Sequence, residues 1–504
     1  MIKKIGIIGA GYGGISSARI LKAFGFEVIV FEKERELGGV WVKSRRYPSV
    51  TTQNPKDTYN LSEMPMPKSY PEWPNGAQVQ AYLESYAKKF GIIKHIQLCS
   101  EVTQASITPK TGTWRLEVRN SGIISETVSE SIPETKTKIV EVDFLLVCNG
   151  VFSKPFIQSY PGSDKFRAAG GQLLHTSEFN DVALARDKNV VITGYGKSSC
   201  DVARACMDTS ATTTVVVRNL IWKIPKRILK VINFKYLLLN RLGESLFRYT
   251  NLKGFEKFLH SRFGSLFRNL LFRMFEGIIS WQLRLETLAL RPSKSFETIG
   301  NATISLVSEG FYEGVQKGKI KFIKEASIVE LRACEAVLDN NEVLKADIVL
   351  CGTGWKQQVP FFDKEIISKI TDTKGNFRLY RSILPTAVPN LAFNGYGSSL
   401  MCQLNCEVGA LWIADLLKGG LSLPPDNDLE NHITERLAWM EKRTGGKHCK
   451  GTNLIPFTLH HLDELLEDLD LTLSPLTLFK QWFVVANPGD YKHLLNKLKE
   501  RYAL

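Results

Sequence analysis

Two stretches of this chain share one pattern of apolar and polar positions: a short apolar run, a glycine-rich turn, a segment of helical periodicity and a second apolar run. In the first, residues 4–8 read as a buried strand, 13–25 as a helix and 27–31 as a second strand. In the second, Val190-Val-Ile-Thr193 is a strand, a helix begins at about Ser198, and Thr213-Thr-Val-Val-Val217 is the next strand. Apolar runs without alternation suit parallel strands covered on both faces. The strand, helix, strand order makes each stretch a βαβ unit, and no other internal repeat is evident.

Between the units, Trp114-Arg-Leu-Glu-Val-Arg119 alternates like a half-exposed strand, a polar hairpin tip follows at 120–138, and Phe144-Leu-Leu-Val-Cys148 reads as buried. The loop Asn149-Gly-Val-Phe-Ser-Lys-Pro155 is the expected crossing point between domains. Residues 228–290 form a helical insert in which Phe255, Phe258, Leu259, Phe263, Leu266, Phe267, Leu270 and Phe275 recur at helical spacing with Lys and Arg between them. Beyond it, Ala346-Asp-Ile-Val-Leu350 is a strand that ends in glycines, and 425–504 is helical and polar without an interpretable motif. The expected fold class is α/β, with two Rossmann-like dinucleotide-binding domains, the second inserted into the first: 1–155 and 331–504 for the first, 156–330 for the second.

A chain of 504 residues supports two or three such domains. Its formal net charge of +14 fits nucleic acid, a membrane surface or anionic cofactors equally well. Nucleic acid lacks any recognition motif. The 9 cysteines include no CxxC and no zinc spacing, which argues for reduced thiols in the cytoplasm, for no metal site and against a dithiol disulfide reductase. The apolar start ends at Gly9, too soon for a signal peptide, and no apolar run is long enough to span a bilayer.

The chemistry lies in the two glycine turns. In Gly9-Ala-Gly-Tyr-Gly-Gly14, Gly9 makes the tight turn, Gly11 lets backbone approach a pyrophosphate, and Gly14 lets helix and sheet pack closely. The helix N-terminus adds N–H donors, and Glu32 at the end of the next strand is placed to accept from ribose hydroxyls. In Gly194-Tyr-Gly-Lys-Ser-Ser199, which includes Gly196, Lys197 and Ser198, the third glycine is replaced by Ser199. Arg218 follows the next strand where an NAD site carries an acid. A carboxylate there would meet a 2′-phosphate at a cost of roughly 4 kcal/mol, whereas arginine offers a charge-assisted fork, so NADPH is the expected donor. Lys223, Lys226 and Arg227 add positive potential or are solvated loop charges.

The tail Glu32-Lys-Glu-Arg-Glu-Leu-Gly38-Gly39-Val-Trp41 resembles the flavin-containing monooxygenases, the class B flavoprotein monooxygenases that include dimethylaniline monooxygenase. The resemblance continues in Val50-Thr-Thr-Gln-Asn-Pro-Lys56, Ser62-Glu-Met-Pro65, Val147-Cys-Asn-Gly150, Pro161-Gly162, Leu391-Ala-Phe-Asn-Gly395 and Glu407-Val-Gly-Ala410. It implies FAD at the first turn, with Gly13, Lys33, Gly39, Val40, Trp41, Thr52, Gln53, Val102 and Gly395 among its contacts. By the same resemblance, Gly171, His175 and Phe179 match a motif FxGxxxHxxx(F/Y), although position 169 is alanine and the leading Phe166 stands three residues early. Phe179 is similar to the N-hydroxylating enzymes, where the Baeyer–Villiger branch usually carries tryptophan. His175 is a positioning residue in this reading, not a general base. Gln53, with Asn54 beside it, stands where the family usually has an asparagine over the flavin, and these two are the candidate catalytic residues.

The implied activity is reduction of FAD by NADPH, formation of a C4a-hydroperoxyflavin from O2, and oxygen transfer to a soft nitrogen or sulfur nucleophile of a small molecule. Baeyer–Villiger oxygenation or an NADPH oxidase are the enzymatic alternatives. Outside enzymes, the basic Phe/Leu segment 235–285 suits a membrane-surface protein, but core packing, or the lid or wall of a substrate pocket, is the favoured reading of that stripe.

Overall fold

The structure is a computed structural model that describes residues 2–109, 111–120, 136–301, 304–446 and 450–504. Most of the expected hairpin tip, 121–135, lies outside the described residues. The chain divides into two units: Met1–Val42, Asn54–Ser153 and Gln357–Leu504 in the first, Lys43–Gln53 and Lys154–Lys356 in the second.

In the first unit, strand Lys4–Ile8 is the centre of a five-stranded sheet in the order Leu391–Phe393, Phe144–Val147, Lys4–Ile8, Glu27–Phe31, Ile96–Gln97, with every pair parallel. The runs lack alternation because both faces are covered: helix Tyr12–Ala23 lies over the sheet, and Ile5, Ile7, Leu145 and Leu391 are fully buried. A three-stranded antiparallel meander, Ser100–Ile107, Trp114–Asn120 and Lys136–Val142, feeds the strand Phe144–Val147. Helix Gly76–Lys89 starts at a capping box formed by Asn75 and Gln78.

The second unit repeats this plan. Strand Asn189–Thr193 is central in the order Lys321–Lys324, Thr212–Val217, Asn189–Thr193, Ile348–Cys351, Gln172–His175, again all parallel. A meander of Ile328–Arg332, Glu335–Leu338 and Val343–Lys345 feeds Ile348–Cys351, as the first meander feeds Phe144–Val147. This moves the expected boundary at 330/331 to 356/357, because Ile348–Cys351 pairs with both Asn189–Thr193 and Gln172–His175. The connecting strands Lys154–Pro155 and Trp355–Lys356 pair with each other.

The insert comprises a small hairpin, Arg227–Ile228 with Ile232–Asn233, the short helices Lys235–Leu238, Arg241–Ser245 and Phe255–Leu259, and a long helix, Arg262–Leu283. Most of its Phe/Leu stripe is not core, although Leu259 is buried. Phe263 is 78% exposed, and Leu266, Phe267 and Leu270 are also exposed, whereas Phe272 and Ile279 on the opposite side are buried. No helix among the described residues is long and apolar enough to cross a membrane.

Candidate cofactor and active site

The first turn is closed by contacts that only glycines permit. Gly9 has φ +105°, and a Cβ there would come within 2.6 Å of the Cys148 carbonyl oxygen. A Cβ on Gly14 would overlap the Gly9 carbonyl oxygen, so the helix begins directly against the turn. Gly11 faces Gly39: a Cβ on Gly11 would lie 3.5 Å from the Gly39 Cα, which leaves a cradle lined by backbone alone. Gly38 Nα–H donates to the Ala10 carbonyl at 2.9 Å and brings the Gly38–Trp41 tail to the turn.

Glu32 is buried, with one carboxylate oxygen accepting from Ala10 N–H at 2.7 Å and the other from Glu34 N–H at 3.0 Å. Burial raises its pKa, against the lowering effect of those two N–H groups. Each oxygen keeps a lone pair for a hydroxyl. Gly13 abuts the Asn394 carbonyl, and Asn394 donates to Ser17 Oγ and to the Cys406 carbonyl, both at 2.8 Å, so Gly395 stands beside the first turn. Trp41 is buried edge-on to Tyr59, at 5.8 Å between ring centroids. Lys33 and Val40 are exposed. Val102 is part of the hydrophobic core of the meander, so only its backbone is open to a ligand.

Asn54 donates to the Leu400 carbonyl at 2.6 Å, and Glu407 accepts from both the N–H and the hydroxyl of Ser62 at 2.8 Å. Burial pushes the Glu407 carboxyl up to about 7, against those two hydrogen bonds. Sequence reasoning picked out the Ser62 and Glu407 segments but not their pairing, since 345 residues separate them.

In the second unit, Gly194 has φ +109°, and its Cβ would come within 2.6 Å of the Gly352 carbonyl oxygen. Gly196 has open space where its Cβ would stand. Lys197 turns back along its helix to form an ion pair with Asp201, at 2.6 Å to one carboxylate oxygen. Asp201 also accepts from Tyr47 at 3.1 Å and from Ser308 at 2.5 Å. Ser198 is partly buried and Ser199 fully buried. Arg218 is exposed at the end of strand Thr212–Val217 and makes no ion pair among the described residues.

Lys223 is not a solvated loop charge: it is buried, donates to Ser305 Oγ at 2.9 Å and lies 4.5 Å from the Tyr195 ring centroid. Burial lowers its pKa. Lys226 is half-buried with Glu309 at 3.4 Å, and Arg227 is exposed.

His175 is buried edge-on to Trp355. Its Nε2 lies 3.0 Å from the Gly354 carbonyl, which can only accept, so Nε2 carries the proton. Nδ1 then accepts from Ser177 N–H at 3.2 Å and from its hydroxyl at 2.8 Å. Burial lowers the ring's pKa, so the neutral imidazole ties Gly354 to the strand Gln172–His175. The early phenylalanine of the motif also finds its place. Phe166 lies on helix Ser163–Ala168, and its ring sits where a Cβ of Gly171 would fall, 2.5 Å away. Phe179 is fully buried. Thr52 is buried, and Gln53 Oε1 accepts from Leu306 N–H at 3.1 Å, leaving the Gln53 amide NH2 as its donor.

The profile of the family described as FMO-like, flavin-binding monooxygenase-like, matches residues 2–479. The chain belongs to the flavin-binding monooxygenase-like family. It is an FAD- and NADPH-dependent monooxygenase acting on a small molecule and O2. A relative in Arabidopsis thaliana, "Probable flavin-containing monooxygenase 1", is 25% identical over 512 residues, 93% of this chain and 92% of that protein. Among solved structures, S-allyl-L-cysteine S-oxygenase from Allium sativum is similar with a TM-score of 0.63 at 17% identity, covering 100% of this chain and 99% of that one. Cyclohexanone monooxygenase in an open form is similar with a TM-score of 0.67 at 17% identity, covering 92% and 97%.

Both cofactors of a flavin-binding monooxygenase fit the residues present. The Gly11–Gly39 cradle has room for a pyrophosphate at a helix N-terminus, and the open face of Gly196 provides the same at the second turn.

Proposed function

We propose that this flavin-binding monooxygenase transfers one oxygen atom of O2 to a soft nitrogen or sulfur nucleophile of a small organic substrate. The observation that carries this reading is the segment from Phe166 to Phe179: it keeps the glycine and histidine of the motif and ends in a buried phenylalanine. FAD reduced by NADPH supplies the activated oxygen. The chain's own part is to hold, orient and exclude water.

Gly9, Gly11, Gly13 and Gly14 with the N-terminus of helix Tyr12–Ala23 receive the FAD pyrophosphate, and Glu32 takes the ribose hydroxyls. Within the first unit, Lys33, Gly39, Val40, Trp41, Gly395 and the backbone of Val102 complete that site, and by the family resemblance Thr52 and Gln53 are further proposed FAD contacts. Gly194, Gly196, Lys197, Ser198 and Ser199 receive the NADPH pyrophosphate, and the exposed Arg218 takes the 2′-phosphate. By the family resemblance, Gln53, whose amide NH2 has no partner among the described residues, and Asn54 are the proposed catalytic residues. His175 holds a proton on Nε2 and positions Gly354 without moving that proton.

No thiol is offered as a nucleophile in this scheme. Burial pushes Cys148 up to about 12, and Cys402 and Cys406 are raised for the same reason. The eight described cysteines are free thiols, in keeping with a reducing compartment, which we take to be the cytoplasm.

Product analysis tests the proposal. The holoenzyme with NADPH and O2 is given a tertiary amine, a thioether and a cyclic ketone in separate reactions. N-oxide or sulfoxide with coupled NADPH use is the expected result. Lactone from the ketone alone would move the enzyme to Baeyer–Villiger chemistry, the activity named for the cyclohexanone monooxygenase neighbour. Hydrogen peroxide as sole product with every substrate would make it an oxidase.

A further inference from the structure

The long helix of the insert has two apolar faces, and only one is covered. At about 100° per residue, Phe272 and Ile279 point one way and are buried, while Phe263, Leu266, Phe267, Leu270, Met274 and Trp281 fall within an opposite arc of about 100° and are exposed. Trp281 is 72% exposed. Single exposed apolar residues are ordinary, but an unbroken stripe along a helix of six turns marks an interaction surface. Two neighbours extend it. Phe255 and Phe258 on the preceding helix are exposed and stacked at 6.0 Å. At the other end, Gln282 bonds both Leu229 N–H at 2.8 Å and the Arg227 carbonyl at 2.9 Å, which pins a hairpin tip with exposed Leu229, Val231 and Ile232 beside Trp281.

The charge around the stripe selects the occupant. From Arg227 to Arg284 the chain has eleven Lys and Arg against three Glu, more than half of its formal net charge of +14, and Glu244 and Glu256 are buried. Arg262, Arg273 and Arg284 recur every eleven residues, which is about three helical turns, so they line one edge of the apolar arc. All three are exposed, and none makes an ion pair among the described residues. A second protein would have to match a long apolar strip bordered by unpaired cations. An anionic bilayer does so without special shape: the apolar face enters the acyl boundary, the arginines reach phosphate headgroups, and the tryptophan sits at the interface.

We propose that the insert docks this enzyme on the surface of an anionic membrane, with helix Arg262–Leu283 lying in the interfacial plane. The proposal is independent of which nucleophile the enzyme oxygenates. It is tested with the full-length holoenzyme by flotation with phosphatidylcholine vesicles and with vesicles of phosphatidylcholine and phosphatidylglycerol. Binding to the anionic vesicles at low salt, weakened by added salt, is expected. The double variant F267D/L270D is expected to lower the bound fraction about tenfold while bound FAD and NADPH turnover stay as in the wild type. In a second measurement, brominated lipid should quench the part of the fluorescence that disappears in Trp281→Phe. No flotation of the wild type at low salt overturns the proposal, and so does unchanged flotation of the double variant. Concentration-dependent self-association that the double variant abolishes, without lipid binding, would instead assign the face to a second copy of the chain.

Discussion

Each unit centres on a glycine-turn strand, and the two turns are superposable in plan but exchange one side chain. In the first, the residue after the neighbouring strand is Cys148, whose N–H donates to the Ile8 carbonyl at 2.9 Å, and the helix presents Gly14. In the second, the equivalent residue is Gly352, whose N–H donates to the Thr193 carbonyl at 2.8 Å, and the helix presents Ser199. A Cβ on Gly352 would overlap Ser199 Oγ. The space for one side chain between helix and strand end is therefore used once in each unit, from opposite sides. The departure of Ser199 from the glycine motif is compensated by a glycine elsewhere, which is why it does not weaken the second turn.

The buried acids Glu32, Glu407 and Asp201 are kept in different ways. Glu32 and Glu407 are held by N–H and hydroxyl donors, and burial raises both. Asp201 is instead ion-paired with Lys197 and hydrogen-bonded to Tyr47 and Ser308. A turn with a buried acid at the end of its second strand suits ribose hydroxyls, and a turn with the exposed Arg218 in that place suits a phosphate.

The most damaging way to break the comparison is to move the side chain of the second turn into the first. Gly14→Ser puts a Cβ on the Gly9 carbonyl, a backbone clash that costs several kcal/mol. The purified variant is expected to lack FAD in its visible spectrum. Ser199→Gly, the reverse change, loses about 0.5 kcal/mol of helix propensity and should keep both cofactors. Gly352→Ala should be rescued in part by Ser199→Gly, with a coupling of about 1–3 kcal/mol in a double-mutant cycle. Additive effects would show that the two positions do not share one space.

Next in size is the pH dependence set by Glu407. Its carboxyl stands at about 7 in the folded chain against an ordinary 4.5. A raised carboxyl binds its proton more tightly folded than unfolded, so its contribution to stability is fully present below pH about 4.5 and is lost as pH rises through about 7, up to roughly 3 kcal/mol in all. Glu407→Gln removes this titration. The difference in thermal midpoint between variant and wild type should shift in favour of the variant from pH 5 to pH 8. A pH-independent difference would mean that the carboxyl does not titrate in this window.

Arg218→Ala addresses the phosphate side of the comparison. Loss of a charge-assisted contact costs about 1.5–3 kcal/mol, so KM for NADPH should rise roughly ten- to a hundredfold while KM for NADH changes little. Equal changes for both donors would remove Arg218 from the 2′-phosphate site.

The strands and helices around both turns were legible because runs such as Ile5–Ile8 and Val190–Ile192 lack alternation and end in glycine, and Glu32 was legible from its spacing. Helix Cys402–Lys418 was not, since every residue from Gln403 to Asp415 is buried and no polar face sets a period. The position of Phe166 could not be read because it reaches Gly171 only after helix Ser163–Ala168 folds back. Nor does any sequence pattern tell which sheet takes Ile348–Cys351, a strand as apolar as Phe144–Val147. The burial of Lys223 has no local sequence signal for a related reason: its hydroxyl partner Ser305 lies 82 residues away.

The smallest predicted effect concerns the segment Lys43–Gln53, which belongs to the second unit although its neighbours on both sides belong to the first. Its contacts there include hydrogen bonds from Tyr47 to Asp201 and from Leu306 N–H to Gln53, and the Arg45 guanidinium lies 5.0 Å from the Trp355 ring centroid. Tyr47→Phe deletes only the first. Asp201 retains Lys197 and Ser308, so no buried charge is left bare, and the loss should be about 1 kcal/mol. Because the anchor is local, the change should appear as faster proteolysis within 43–53, with bound FAD unchanged. In Asp201→Asn, by contrast, the largely buried Lys197 ammonium loses its carboxylate, and destabilisation of about 3–5 kcal/mol is expected. If Tyr47→Phe proved as costly as Asp201→Asn in urea unfolding, the phenol would be the essential partner and the ion pair secondary. That ranking would reverse the order of importance of the partners of Asp201.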